Sequence, residues 1–160
     1  MNRRNTLAAI SASLLLLSLA MPAGDATAQS VKSVAGTYSI VSTEAFGKGA
    51  RGTLMLGADG RYSIVLARAT LPKFATNNRM KGTSEEMKAI VGGSIAHVGK
   101  YTIDDGGKAI TFHVETSTYP NWDGTTQKRA LKVTGDQLTY TVTAPSGGGP
   151  AADVVWKRIK

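Results

Sequence analysis

The sequence predicts an all-β domain of eight short antiparallel strands. Three observations predict it. Segments rich in β-branched and aromatic residues recur at the spacing of a sandwich or barrel. Gly, Asp or Pro bounds each of them, and only one long connection, residues 69–93, interrupts the series.

Ahead of the first strand, the chain starts with Arg3 and Arg4, followed by an Ala/Leu-rich run to about Met21. Pro22 and Gly24 break that run, and Ala26-Thr27-Ala28 offers the small residues a signal peptidase accepts. Residues 1–28 therefore read as a signal peptide cut before Gln29, and residues 29–160 as one domain that starts folding near Ser33. The expected location is periplasmic or secreted. The apolar run is shorter than a membrane-crossing helix, so no integral membrane segment is expected after cleavage. The chain has no cysteine, which excludes disulfides, thiolate chemistry and a lipid-modified cysteine.

The strands are expected at 35–43, 51–57, 60–67, 94–104, 108–116, 125–133, 137–143 and 152–159. Tight turns at Ala58-Asp59-Gly60, Asp104 to Gly107 and Gly135-Asp136 use residues that tolerate positive φ, giving an up-and-down order. Pro145 to Pro150, with three glycines between them, reads as a flexible hairpin loop. In the long connection, Thr83-Ser84-Glu85-Glu86 is a capping box. It predicts a short helix over 84–91, stopped by Gly92-Gly93, with Met87, Ile90 and Val91 as its buried edge. Upstream, Leu71-Pro72-Lys73-Phe74 either folds over a barrel opening as a lid or simply covers the core.

Side-chain alternation sorts the faces. Tyr62, Ile64 and Leu66 share one face, as do Ile95, His97, Tyr101 and Ile103. Gln127 and Arg129 fall with Leu131 and Val133, opposite Lys128 and Lys132, and so point inward. The fifth segment is ambiguous, since either Ile110, Phe112 and Val114 or Thr111, His113 and Glu115 could line an interior. If His113 and Glu115 face inward beside Arg129, they form a charge-paired polar cluster. Its catalytic reading makes His113 a proton acceptor oriented by Glu115, with Arg129 stabilising an enolate or carboxylate. Trp122 is either a ligand wall or a plug of the closed end.

The net charge of +8 becomes +7 once the two Arg and one Asp of residues 1–28 are removed. The basic residues are scattered and not clustered with aromatics, so a solvated basic surface is expected, with no nucleic-acid partner. Weak contact with an anionic envelope surface is compatible with that charge. Two histidines without cysteine or a paired-histidine motif predict no metal site. No Gly-x-Ser-x-Gly elbow or phosphate-binding glycine loop occurs.

Several motifs are distributed over the chain from Gly36 to Arg158: Gly36-Thr37-Tyr38 with Val41-Ser42, Asp59-Gly60-Arg61-Tyr62, Gly82-Thr83 with Glu85-Glu86, and Ile95-Ala96-His97 followed by Gly99 and Tyr101. More specific is the string His113-Val114-Glu115, Pro120-Asn121-Trp122, Gly124-Thr125, Gln127 and Arg129, with Val155-Trp156-Lys157-Arg158 at the end. In these motifs, the last of which matches the family's closing strand, the chain resembles the lipocalin-like domain proteins of bacteria and fungi. Tyr38 departs from the Trp common at that position. The resemblance implies an eight-stranded antiparallel up-and-down lipocalin-like barrel with one short helix in a long connection, whose members are taken to bind small hydrophobic molecules. The expected function is binding of a small hydrophobic or amphipathic ligand in the lumen, without a cofactor, through Tyr62, His97, Tyr101, His113, Glu115, Trp122, Gln127 and Arg129. The alternatives are a cofactor-free isomerase, cyclase or hydrolase using the barrel histidine, or an envelope-associated stress protein.

Overall fold

A computed structural model describes residues 30–104 and 106–159. The leader expected at residues 1–28, with its cut after Ala28, lies outside the described residues. Eight strands follow one another around a closed barrel: β1 (Gly36–Thr43), β2 (Arg51–Leu56), β3 (Arg61–Ala67), β4 (Ser94–Ile103), β5 (Ala109–Ser117), β6 (Thr126–Thr134), β7 (Gln137–Val142) and β8 (Ala152–Arg158). Each pairs antiparallel with the next, and β8 returns to β1 through pairs such as Tyr38 with Arg158 and Ile40 with Trp156. Closure leaves no unpaired edge strand to template association.

The two ends of the barrel differ because the connections differ. The short turns 57–60, 104–108 and 135–136 all lie at one end, where a single-turn helix, α1 (Val31–Val34), also sits. Tyr38 donates to the Val34 carbonyl at 2.5 Å, and the Tyr101 hydroxyl is shared between the carbonyls of Gly57 at 2.8 Å and Val31 at 3.1 Å. Arg158 stacks 4.7 Å over the Tyr38 ring, and its guanidinium donates to the carbonyls of Ala35 and Ser33. The end with tight turns is therefore sealed. The connections 44–50, 68–93, 118–125 and 143–151 gather at the other end.

Inside, the barrel is filled by its own side chains. Trp156, Tyr38, Tyr101, Tyr140, Phe112 and Leu54 are each less than 2 % exposed. An eight-stranded barrel is just wide enough for this to happen.

The helix in the long connection, α2 (Ser84–Gly93), has the predicted cap: Glu86 N donates to Thr83 Oγ1, and Thr83 N donates to the Glu86 carboxylate at 2.8 Å. Its carboxylate also accepts from Ala75 N, tying the preceding loop to the helix, and these amide bonds hold the Glu86 carboxyl below its ordinary pKa. Two expectations are corrected here. Gly92 and Gly93 are the last turn and not the stop; the helix ends at Ser94, whose hydroxyl donates to the Ile90 carbonyl. Met87 and Val91 are exposed and Ile90 only half-buried, because the helix rides on the rim and packs closely only at Gly93, against Leu71. Phe74 in turn lies against Gly82. No helix among the described residues is long and apolar enough to cross a membrane.

Candidate functional site

At the long-loop end, strand alternation delivers an aromatic chain into the interior. Tyr62 and His97 come from β3 and β4, two strands whose register pairs Ile64 with His97. The Tyr62 hydroxyl and His97 Nδ1 are joined by a 2.8 Å hydrogen bond. The ring of Tyr62 meets the edge of Phe112 at 4.7 Å, and Phe112 meets Tyr140 at 5.6 Å. On the other side, His97 lies 5.5 Å from Trp122, which lies 5.7 Å from Tyr119. Edge-to-face contacts of this kind suit the aromatic quadrupole.

Arg129 stands among these rings. It is 5 % exposed, with its guanidinium 5.1 Å from the centre of the Phe112 ring and 4.8 Å from that of Tyr140. Its Nη2 donates to Gln127 Oε1 at 2.5 Å. Cation–π contact offsets part of the cost of removing the charge from water. Among the described residues no carboxylate pairs with it.

Burial sets the charge state of the neighbours. Desolvation, reinforced by Arg129, pushes the His97 pKa down to about 3, so the ring is neutral near physiological pH. Burial raises the Tyr62 and Tyr140 phenols well above their ordinary value, against the opposing pull of Arg129, and they remain protonated. The Trp156 indole faces Tyr140 at this level, but its buried Nε1–H makes no well-formed hydrogen bond.

The barrel wall opens beside this group. The β6–β7 ladder runs only from the Thr134–Gln137 pair to Leu131–Tyr140. Beyond it, β6 stays with β5 through Ala130 to Thr126, and β7 stays with β8 through Val142. The strands thus separate, leaving a cleft of about 390 Å³ lined by Trp122, Gln127, Arg129, Val142 and Ala144. A second cleft, of about 440 Å³, crosses the outer wall over β1 and β8, where exposed Val41, Glu44, Lys48 and Asp153 line it. Although larger, it does not involve the aromatic chain, so the β6–β7 cleft is the better candidate.

Of the residues expected at the site, the fold gathers Tyr62, His97, Trp122, Gln127 and Arg129. It does not gather the rest. Tyr101 points its hydroxyl into the sealed end. His113 and Glu115 are on the outer surface, because Ile110, Phe112 and Val114 take the inner face of β5. Glu115 pairs there with Arg61 at 2.6 Å, and His113 Nδ1 lies 3.3 Å from Thr126 Oγ1. The inward cluster of His113, Glu115 and Arg129 is therefore corrected, since the wall of the barrel separates the first two from the third. Trp122, in a turn of 3-10 helix (Pro120–Trp122), is half-buried at the long-loop end and is not the plug of the closed end.

Sequence reasoning missed Phe112 and Tyr140 as the two faces of the Arg129 slot, and Val142 and Ala144 as the far lip of the cleft. Alternation left the inner face of β5 open, but Phe112 was within reach through pairing, which sets it opposite Gln127, a residue that alternation points inward. The separation of β6 from β7 left no mark in composition or spacing.

A lipocalin-like domain model matches residues 28–159. The chain is also similar to the 4'-hydroxy-3'-methoxypropiophenone carrier protein of Aspergillus oryzae, with 28 % identity over 106 residues, covering 61 % of this chain and 96 % of that protein.

Proposed function

Because this chain belongs to the lipocalin-like domain family, we propose that it is an exported carrier of a small hydrophobic or amphipathic ligand, held at the long-loop end of the barrel. The observation that carries this reading is the β6–β7 cleft. At an opening to solvent it brings Trp122, Val142 and Ala144 together with the polar residues Thr125, Gln127 and Arg129, apolar walls with polar groups that can orient a small ligand. With the middle of the barrel filled, the ligand rests above Phe112 and Tyr140, against Trp122. The relative's name supports an aromatic ligand, a phenolic ketone being of suitable size and polarity. Export is supported by Arg3, Arg4, the apolar run and the small residues ending at Ala28.

Titration with 4'-hydroxy-3'-methoxypropiophenone, read by tryptophan emission, tests the site. A saturable one-to-one change is expected, and Trp122→Phe should remove most of it while the emission of buried Trp156 remains. No saturable signal and no heat of binding, with this compound or with simple alkylbenzenes, would overturn the carrier reading. For export, the protein recovered from its own cells should begin at Gln29; a chain that keeps Met1 sinks that part.

A further inference from the structure

We propose that the ligand is an organic acid, and that its anionic group, a carboxylate or ionised phenol, enters through the β6–β7 cleft to pair with Arg129. This rests on the carrier reading and specifies its ligand. The argument starts from an imbalance of charge. A guanidinium offers five N–H donors in a planar fork, and a buried one is ordinarily paired with an acid. Arg129 is 5 % exposed, yet the groups against it are neutral: the Gln127 amide that accepts from it and the rings of Phe112 and Tyr140.

Among the described residues the surroundings supply no anion. The nearby phenols of Tyr62 and Tyr140 stay protonated, and Glu115 faces the other side of the wall, held by Arg61. The rings of Phe112 and Tyr140 stabilise the cation and fix its plane without consuming its donors. Arg129 is among the residues that line the cleft, whose lining contains no acidic side chain; Lys128, also in that lining, adds positive potential. A planar fork meets a carboxylate with two parallel hydrogen bonds, a geometry a neutral carbonyl cannot match. Val142, Ala144 and Trp122 then receive the apolar body of the acid.

A matched pair of probes tests this: 4-propylbenzoate and its neutral analogue 4-propylbenzamide, titrated into the protein near neutral pH by calorimetry. The benzoate should bind at least about tenfold tighter. Arg129→Gln should bring the two affinities within about threefold of each other while the benzamide's is retained, and Arg129→Lys should keep part of the preference. Ala144→Trp, which fills the outer lip, should weaken benzoate binding about tenfold or more. Equal affinity of the two probes for the unaltered protein overturns the acid proposal and leaves the carrier reading standing, and that comparison needs no variant to fold. A benzoate preference that survives Arg129→Gln or is indifferent to Ala144→Trp overturns the assigned site. If neither probe binds while the phenolic ketone does, the acid proposal alone falls; if nothing binds, both fall.

Discussion

His97 illustrates how burial ties the protonation of one side chain to stability. It is 4 % exposed, hydrogen-bonded to Tyr62, and has a pKa pushed down to about 3 by burial and by Arg129. Unfolding returns it to its ordinary value near 6.5. Below that pH the unfolded chain takes up a proton that the folded chain refuses, so stability falls as pH drops from about 6.5 towards 3. The slope from this group approaches 1.4 kcal/mol per pH unit, of order, at the lower end of that window. His97→Phe should flatten the dependence between about pH 6.5 and 5, a range above the titration of ordinary carboxylates, as read by urea unfolding at each pH. An unchanged slope would mean that the histidine is not kept neutral by its site. The same scale shows what was legible beforehand: alternation alone assigned Tyr62, His97, Gln127 and Arg129 to the interior. His113 and Glu115 were not assignable by that means, because β5 alternates cleanly on both faces and pattern alone does not say which face a polar ligand would favour.

Among the elements, β5 carries the irregularity that matters most. Val98 pairs with Thr116 but Gly99 with Val114, so Glu115 is an extra residue bulged out of the ladder. The bulge shifts the phase of the strand, which keeps Thr116 outside beside Glu115 and turns Ser117 inward, where it is 8 % exposed. Gly99 makes it possible: a Cβ there would collide with the carbonyl oxygen of His113 and would come within 2.9 Å of the Glu115 amide. Both obstacles are backbone and have little room to yield. Gly99→Ala should therefore cost about 2 to 3 kcal/mol of stability, whereas the same change at Gly106, with open space around it, should cost under about 1 kcal/mol. Equal costs by denaturant unfolding would show that the bulge does not depend on the missing side chain. Strand positions were readable to within a residue or so, since the turn residues that end each strand act locally. The exposed edge of α2 was not, because Met87 and Val91 have helical spacing whether or not another element covers them, and the position of a helix on a barrel rim is a tertiary property.

For the whole molecule, the two ends of the barrel divide the work. The tight-turn end is closed by Arg158 stacked over Tyr38 and bonded to the carbonyls of Ala35 and Ser33, with Tyr101 joining β4 to α1 and to the β2–β3 turn. Gly36 completes this seal, since a Cβ there would occupy the place of the Arg158 guanidinium. The wide end carries the cleft, Arg129 and the long loops. A rigid base frees the top from having to hold the barrel together, and the β6–β7 ladder can lapse there, as the β1–β2 ladder does beyond the Ser39–Thr53 pair, because each strand is still paired with both neighbours elsewhere along its length. Stability and ligand affinity should therefore be separable by mutation. Arg158→Met keeps an apolar side chain over Tyr38 but removes the cation and its bonds to the carbonyls, so it should cost about 2 kcal/mol. Its affinity for a ligand bound at the cleft should stay within about twofold of the unaltered protein at a temperature where both are fully folded. Arg129→Gln should show the reverse balance, changing ligand preference more than stability, because Gln relieves the burial of an unpaired charge even as it loses the ring contacts. Thermal unfolding and calorimetric titration of the two variants side by side measure this division. If Arg158→Met weakens ligand binding as much as it lowers stability, the ends are coupled through the packed rings from Tyr38 to Tyr140, and the barrel works as one deformable body instead of a rigid base under an open rim.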